Sequence, residues 1–423
     1  MPRRLITGRA GAAIAAVVAL TLGLTACSGS ESIPIDLPTQ VPGEFPADTQ
    51  AELEDAVSTV MTATGSSGAI VGVWAPWSGS WVAGLGTTTP GGAAVTADMS
   101  FRVGKITRAM TCDVMYKLAE EGTLRVDDDV SDYVGGVAGL TDVTLKELCD
   151  STSGIGSYTD SKLLSMWLEN PERSWDPLEL ASYGLGAAGE STPGTRYQDS
   201  DAGYLLLGLA LERASGRGAA QLIQDYVAGP LALESTYLEE GVPASDAGLL
   251  TPMRSERVDG SFSCTELQDL SDLSGSTGFT DSGVVSTVGD LGRYAQALAA
   301  GSLMPSGTDR FDDTKEAFTN APSWFTYGGG VYQAGTLVGT YGSTPGYLTG
   351  VFADRESGLT VVVVLNNSAA DDRYGRWLSW QLAAIASKAP ASAGGALPAA
   401  GLPWTADQDQ DVIAENAICQ PAE

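Results

Sequence analysis

Strand-forming stretches lie at both ends of this chain with helix-forming stretches between them, and this arrangement limits the possible folds more than any other feature. Near the start, Gly68 to Trp74 reads as a buried strand, Ser78-Gly79-Ser80 as a turn, and Trp81-Val82-Ala83-Gly84 as the beginning of a return strand. In the last third, Gly328 to Gln333, Thr336 to Thr340, Tyr347 to Ala353 and Leu359 to Asn366 read as strands, punctuated by Gly346 and Gly358. Residues from about 143 to 275 read as mostly helical with long loops. Leu205 to Ala214 forms one helix stopped by Gly216, and Ala219 to Val227 another. Further helices are expected from Ala51 to Met61, capped by Asp48 and ended by Gly65, over about 105–121, and from Asp371 to about Ser387. The expected fold class is α/β of the α+β type. An antiparallel sheet formed from both ends of the chain is flanked by helices, and a mostly helical subdomain (about 105–284) is inserted into a domain spanning 49–388. The cleft between the two parts is the expected ligand site.

Composition narrows the function. The chain has 423 residues, 43% of them hydrophobic, enough for one large core or two fused subdomains. With 23 basic against 52 acidic residues its net charge is -29, which repels nucleic acid and argues against such a partner. Histidine is absent, so a Ser-His-Asp triad is excluded, and with no close Cys cluster neither a metal site nor a cofactor is expected. Asp127-Asp128-Asp129 lacks a spaced ligand loop and reads as a solvated cap and turn.

The N-terminus carries Arg3, Arg4 and Arg9, an apolar run from Ala10 to Leu24, and Leu24-Thr25-Ala26-Cys27. This pattern reads as a secretory signal peptide over 1–26, too short for a spanning helix. Its ending resembles a bacterial lipobox, which implies cleavage before Cys27, lipidation of Cys27, and attachment to the outer face of the cell membrane through that anchor alone. An ordinary signal peptide with a chance cysteine is the alternative. Residues 27–48, with Pro34, Pro38, Pro42 and Pro46, read as a flexible tether, and 389–423 as a flexible linker and C-terminal tail. Four cysteines remain, with three possible pairings. Cys112–Cys149 and Cys264–Cys419 are favoured, because the first pair flanks one helical stretch and the second would pin the tail. Buried free thiols are the alternative.

One stretch invites a catalytic reading. Phe101-Arg102-Val103-Gly104-Lys105-Ile106-Thr107-Arg108 reads as a strand end and Gly turn feeding a helix N-terminus, where a nucleophile is often mounted. The spacing suggests Ser-x-x-Lys, yet the serine and the lysine are both absent. None of the six lysines (105, 117, 146, 162, 315, 388) has a serine three residues before it, and there is no Gly-x-Ser-x-Gly.

Over about residues 50–388 the chain resembles the serine beta-lactamase and penicillin-binding-protein superfamily, in particular its class C beta-lactamase, D-alanyl-D-alanine carboxypeptidase and esterase branch. The resemblance rests on several stretches: Phe101-Arg102-Val103-Gly104, Glu121 to Val130 with Tyr133, Ser151-Thr152-Ser153-Gly154-Ile155, Pro193-Gly194-Thr195-Arg196-Tyr197, Gly203 to Gly208, Pro230-Leu231-Ala232-Leu233, Ser286 to Leu291, and Thr344-Pro345-Gly346-Tyr347.

In that family a serine attacks a carbonyl and a lysine one turn later takes its proton. A tyrosine and an asparagine complete the relay, and an edge strand with a basic residue or His, then Thr and Gly, binds the substrate carboxylate. By register, the serine position here is Lys105 and the lysine position Arg108. The tyrosine and asparagine positions are Asp199 and Asp201, and the edge strand is Thr340-Tyr341-Gly342. An ammonium is no acyl acceptor, and an always-protonated guanidinium is no general base. Two fixed cations facing two carboxylates lead us to expect that Lys105 and Arg108 pair with Asp199 and Asp201 across the cleft. The alternative is that all four are separately solvated.

Ser151 and Ser153 read as structural members of a Gly-ended turn, and Tyr197 as a less favoured, shifted tyrosine motif. Trp74, Trp77, Trp81, Trp167 and Trp175 read mainly as packing residues. The resemblance and its substitutions together imply a monomeric, non-catalytic binding lipoprotein of the cell envelope. Its cleft residues are Lys105, Arg108, Asp199, Asp201 and Tyr341, and its ligand a cell-wall peptide or a protein. The alternatives are an active serine-type hydrolase of unusual design (carboxypeptidase, beta-lactamase or esterase) and a surface protein acting through its acidic face.

Overall fold

The computed structural model describes residues 32–137, 140–157, 161–186, 191–241, 248–393, 395–398 and 401–419. The expected signal peptide and Cys27 lie outside the described residues.

Helix α1 (Ala47–Thr64) buries Leu53, Ala56, Val57, Val60 and Ala63, a stripe at three- and four-residue spacing. Asp48 sits in its first turn rather than at the cap, which is Pro46, and Gly65 closes the helix at φ 66°. Strands β1 (Gly68–Ala75) and β2 (Gly79–Gly86) form a hairpin. Strand β3 (Phe101–Arg102) then leads through one 3-10 turn into α2 (Thr107–Glu120).

The middle of the chain holds α3 (Val130–Tyr133), α4 (Leu145–Cys149), α5 (Ser161–Glu169), α6 (Pro177–Gly186), α7 (Asp201–Ser215) and α8 (Ala219–Ile223). Asp128 accepts from the Arg125 amide at 2.8 Å and the Tyr133 hydroxyl at 2.7 Å, so the acidic triplet serves a turn. Strand β4 (Tyr237–Leu238) follows, then β5 (Met253–Val258) and β6 (Ser261–Asp269), a hairpin where helix and loop were expected. Both hairpin strands are largely polar and half-exposed, so they carry little of the alternation by which strands are recognised. Helix α9 (Phe279–Ser282), strand β7 (Val284–Ser286) and helix α10 (Val288–Ala300) complete this part.

The last third supplies β8 (Lys315–Glu316), β9 (Phe325–Gly328), β10 (Val331–Ala334), β11 (Leu337–Thr344), β12 (Tyr347–Asp354) and β13 (Thr360–Leu365), then α11 (Arg373–Ala386) and α12 (Ala406–Glu415). The single strand expected over Gly328 to Gln333 is a hairpin, because Gly329 and Gly330 both adopt positive φ and reverse the chain.

The main sheet has the order β2-β1-β13-β12-β11-β10-β9-β8, and every neighbouring pair is antiparallel. β1 pairs with β13 from Ala69↔Leu365 to Trp74↔Thr360, so an early strand and the last strand of the sheet lie side by side within it. Val361, Val363 and Leu365 point into one core with α1 and α11. Val362 and Val364 point into the other, shared with α2, α7 and α10. With both faces buried, β13 is an unbroken apolar run rather than an alternating one.

Two segments expected to be flexible are ordered against this body. Ile33 donates its amide to the Pro230 carbonyl at 2.8 Å, Val41 to Pro76 at 3.0 Å, and Phe45 is buried. Near the other end, Trp404 stacks on Trp380 with centroids 4.5 Å apart, and α12 buries Ile413. The favoured disulfides Cys112–Cys149 and Cys264–Cys419 are the ones formed, and the second ties the chain end to β6. Composition read these segments as loose because their few apolar anchors are too widely spaced to show a period.

Candidate functional site

The 3-10 turn Gly104–Ile106 aims Lys105 into the cleft. Gly104 takes φ 61°, a conformation natural to glycine. Thr349 Oγ1 donates to the Val103 carbonyl at 2.8 Å. Thr107 Oγ1 donates to the Gly104 carbonyl at 2.9 Å and accepts from the Val284 amide at 3.1 Å. These bonds fix the turn against β12 and β7. A Cβ added at Gly342 would come within 2.7 Å of the Lys105 Cβ, Cγ and Cδ, so the lysine stem lies directly on that glycine.

Lys105 Nζ is 3.0 Å from Asp199, 3.4 Å from Asp372 and 4.0 Å from Asp201. Arg108, one turn on and only 2% exposed, donates Nε to Asp281 at 2.7 Å, Nη1 to Asp199 and Nη2 to Asp201. Its guanidinium also lies 4.7 Å over the Tyr204 ring. Ser157 donates its hydroxyl to Asp201. The structure therefore brings together Lys105, Arg108, Asp199 and Asp201 as ion pairs, and adds two acids that sequence reasoning did not select. Asp281 arrives on α9 and Asp372 at the start of α11. A buried guanidinium carries five N–H donors on three nitrogens, and Asp199 and Asp201 together leave its Nε unmet. That need signals a further acid without saying which.

Burial alone would lower the Lys105 pKa, but Asp199, then Asp372 and Asp201, reverse this and hold it above the usual lysine value. Burial would raise Asp199, yet Arg108 and Lys105 keep its carboxyl well below the usual range. At Asp281 burial wins over Arg108, and its carboxyl is pushed up to about 7. Lys105 is thus held as an ammonium, and Arg108 is a guanidinium with each of its three nitrogens on a carboxyl group. Neither offers a lone pair for attack or proton removal.

Thr340, Tyr341 and Gly342 lie on β11 beyond its pairing with β10, which reaches only Leu337 to Gly339. Thr340 is buried, and Tyr341 stacks on Tyr332 at 4.9 Å. Tyr197 shares a 2.8 Å hydroxyl contact with Tyr332 and reaches Asp199 at 3.4 Å. Burial raises its pKa well above the ordinary value, so it is no base. Ser151 meets the Tyr204 hydroxyl at 3.5 Å, and Ser153 accepts from the Ile155 amide, as structural residues do. Trp77 donates to the Ala389 carbonyl in the core, while Trp167 lines the cleft.

Lys105 stands in the wall of two cavities. One, of about 330 Å³, is bounded by Leu163, Trp167, Arg254, Asp281 and Ser343. The other, of about 450 Å³, is bounded by Tyr197, Asp199, Tyr332, Tyr341, Asp372 and Arg376.

The Beta-lactamase family model matches residues 53–384. PbpX of Bacillus subtilis (strain 168) is 26% identical over 285 residues, 66% of this chain and 64% of that protein. The D-alanyl-D-alanine-carboxypeptidase/endopeptidase AmpH of Escherichia coli (strain K12) is 27% identical over 161 residues, 36% of this chain and 40% of that one. The chain thus spans less than two thirds of the length of either relative. Among solved structures, a D-stereospecific amidohydrolase from Streptomyces sp. superposes with a TM-score of 0.64 at 24% identity, covering 79% of this chain and 98% of that one. The octameric penicillin-binding protein homologue from Pyrococcus abyssi gives 0.67 at 20% identity, covering 79% and 77%. At these identities the structures speak for the fold alone. Because the family model spans the sheet and the inserted helices alike, the chain belongs to the beta-lactamase family, within the serine beta-lactamase and penicillin-binding-protein superfamily.

Proposed function

We propose that this protein is a non-catalytic binding member of its family. In this reading it is an exported, monomeric lipoprotein, anchored through Cys27 to the outer face of the cell membrane, whose cleft takes a cell-wall peptide or a protein ligand. The observation that carries the reading is Lys105 at the nucleophile position, held at 3.0 Å from Asp199 and 3.4 Å from Asp372. Acyl transfer needs a neutral nucleophile and a base beside it, and the carboxylates surrounding Lys105 and Arg108 oppose both.

The test is incubation of the purified protein with a reporter penicillin and a chromogenic ester, followed by intact-mass measurement and turnover assay. No added mass and no turnover are expected, and acylation of any serine overturns the reading. The anchor is tested separately. Cys27→Ser should release the protein from the membrane fraction, and retention would count against lipidation. The relative AmpH bears a carboxypeptidase/endopeptidase name, which favours a second reading, an active serine-type hydrolase of unusual site. The acylation experiment separates the two.

A further inference from the structure

The two disulfides differ in what can reach them. Cys112 on α2 and Cys149 at the end of α4 are both fully buried. Cys419 is buried too, but its partner Cys264 is exposed. Thiol–disulfide exchange begins when a thiolate attacks one sulfur of the bond, so a bond without access is inert and an exposed one is labile.

The exposure of Cys264 is built into β6. The pairs Ser255↔Leu267 and Arg257↔Phe262 flank it. Between them β5 has Glu256 alone, whereas β6 has Ser263, Cys264, Thr265 and Glu266. The surplus residues form a bulge, which re-aims the side chain it carries. Ser263 Oγ holds the bulge by accepting from the Glu266 amide at 2.9 Å and the Thr265 amide at 3.3 Å. Cys419 is fixed from the other side. The Ala63 carbonyl at the end of α1 accepts from the Ile418 amide at 3.0 Å and the Cys419 amide at 3.1 Å. A Cβ added at Gly65 would come within 2.9 Å of the Cys419 sulfur. One cysteine is thus presented on a bulge while the other is packed into the body.

Few contacts back up this bond. Helix α12 itself buries only Asp409 and Ile413, and among the described residues Asp409 Oδ2 is buried without a donor. Tyr374 donates its hydroxyl to the Ile413 carbonyl at 3.1 Å. The base of the β5–β6 hairpin is held separately. The Ser255 amide donates to Asn367 Oδ1 at 3.0 Å, and Asn367 Nδ2 donates to Ser255 Oγ at 2.8 Å. Opening the bond therefore loosens α12 and leaves the hairpin base in place.

We infer that Cys264–Cys419 is a thiol-exchange site through which a dithiol releases α12, whereas Cys112–Cys149 is a permanent structural bond. One thiolate of the dithiol attacks the Cys264 sulfur, the Cys264–Cys419 bond breaks, and Cys419 leaves as a thiolate that takes up a proton. The second thiolate then displaces Cys264 from the mixed disulfide, and Cys264 is protonated in turn. The dithiol ends as its own disulfide and the two cysteines as thiols, a two-electron reduction of the protein. The inference is independent of what the cleft binds.

The test is timed reduction of the intact protein by dithiothreitol without denaturant, quenched with iodoacetamide and mapped by peptide mass. Cys264 and Cys419 should be alkylated at least about a hundredfold faster than Cys112 and Cys149. Amide hydrogen exchange in α12 should then rise at least about tenfold, while exchange in α2 and α7 stays unchanged. With the monothiol 2-mercaptoethanol, the mixed disulfide should be found on Cys264. Equal rates at the two bonds, an adduct on Cys419, or unchanged exchange in α12 after opening overturns the inference. Every reading is made on the natural sequence, so no variant has to fold.

Discussion

Arg108 and Asp281, 173 positions apart in the chain, meet through a 2.7 Å Nε–Oδ1 bond beneath the cleft. That bond joins α2 to α9, while Asp199 and Asp201 take the remaining guanidinium nitrogens from the side of α7. Three elements distant in sequence thus share one buried cation.

Arg108→Met should be strongly destabilising. Removing one partner from a buried ionic network leaves uncompensated charge and typically costs about 3–5 kcal/mol. Denaturant unfolding should show the midpoint falling by a corresponding amount. A loss within experimental error of zero would mean that the network contributes nothing to stability.

Asp281 sets a sign for the pH dependence. Its folded pKa, about 7, lies above the unfolded carboxyl value, so the folded state holds a proton that the unfolded state releases. Its contribution to stability is fully present below about pH 4 and is lost as pH rises towards 7. Asp281→Asn should therefore flatten the decline in melting temperature across that window. An unchanged slope would place the Asp281 pKa in the ordinary range. Asp199, held low by Arg108 and Lys105, acts oppositely and loses its contribution only under strongly acidic conditions.

Lys105→Ser with Arg108→Lys restores the family's Ser-x-x-Lys spacing, yet it should not restore penicillin hydrolysis. Asp199, Asp201 and Asp281, which surround the side chain at 108, should hold a lysine there protonated. Appreciable turnover by the double variant would refute this account.

The disulfide Cys264–Cys419 closes a separation of 155 residues. Cys264→Ser with Cys419→Ser should cost about 2–5 kcal/mol, in keeping with removal of a native disulfide. It should also make the segment between α11 and α12 more sensitive to proteolysis. A digestion pattern identical to wild type would show that Trp404 and Ile413 hold α12 unaided.

The sequence by itself determined the central sheet, because β1, β12 and β13 are dense in apolar and β-branched residues and bounded by turn residues. It also picked out four residues that the structure brings together, Lys105, Arg108, Asp199 and Asp201, since they stand in stretches that resemble the family's. Tertiary structure decided the rest. Asp281 and Asp372 join the site only because α9 and α11 pack beside the turn at Lys105. Arg376 is ringed by Trp380, Tyr341 and Phe325 only because β9, β11 and α11 pack together there. The hairpin β5–β6 and the docked α12 were hidden for a related reason. They are held by a few contacts with distant elements, such as Cys264 with Cys419, rather than by a local period. Local pattern specifies an element, but the burial and pairing of a charge depend on which elements the completed core sets beside it.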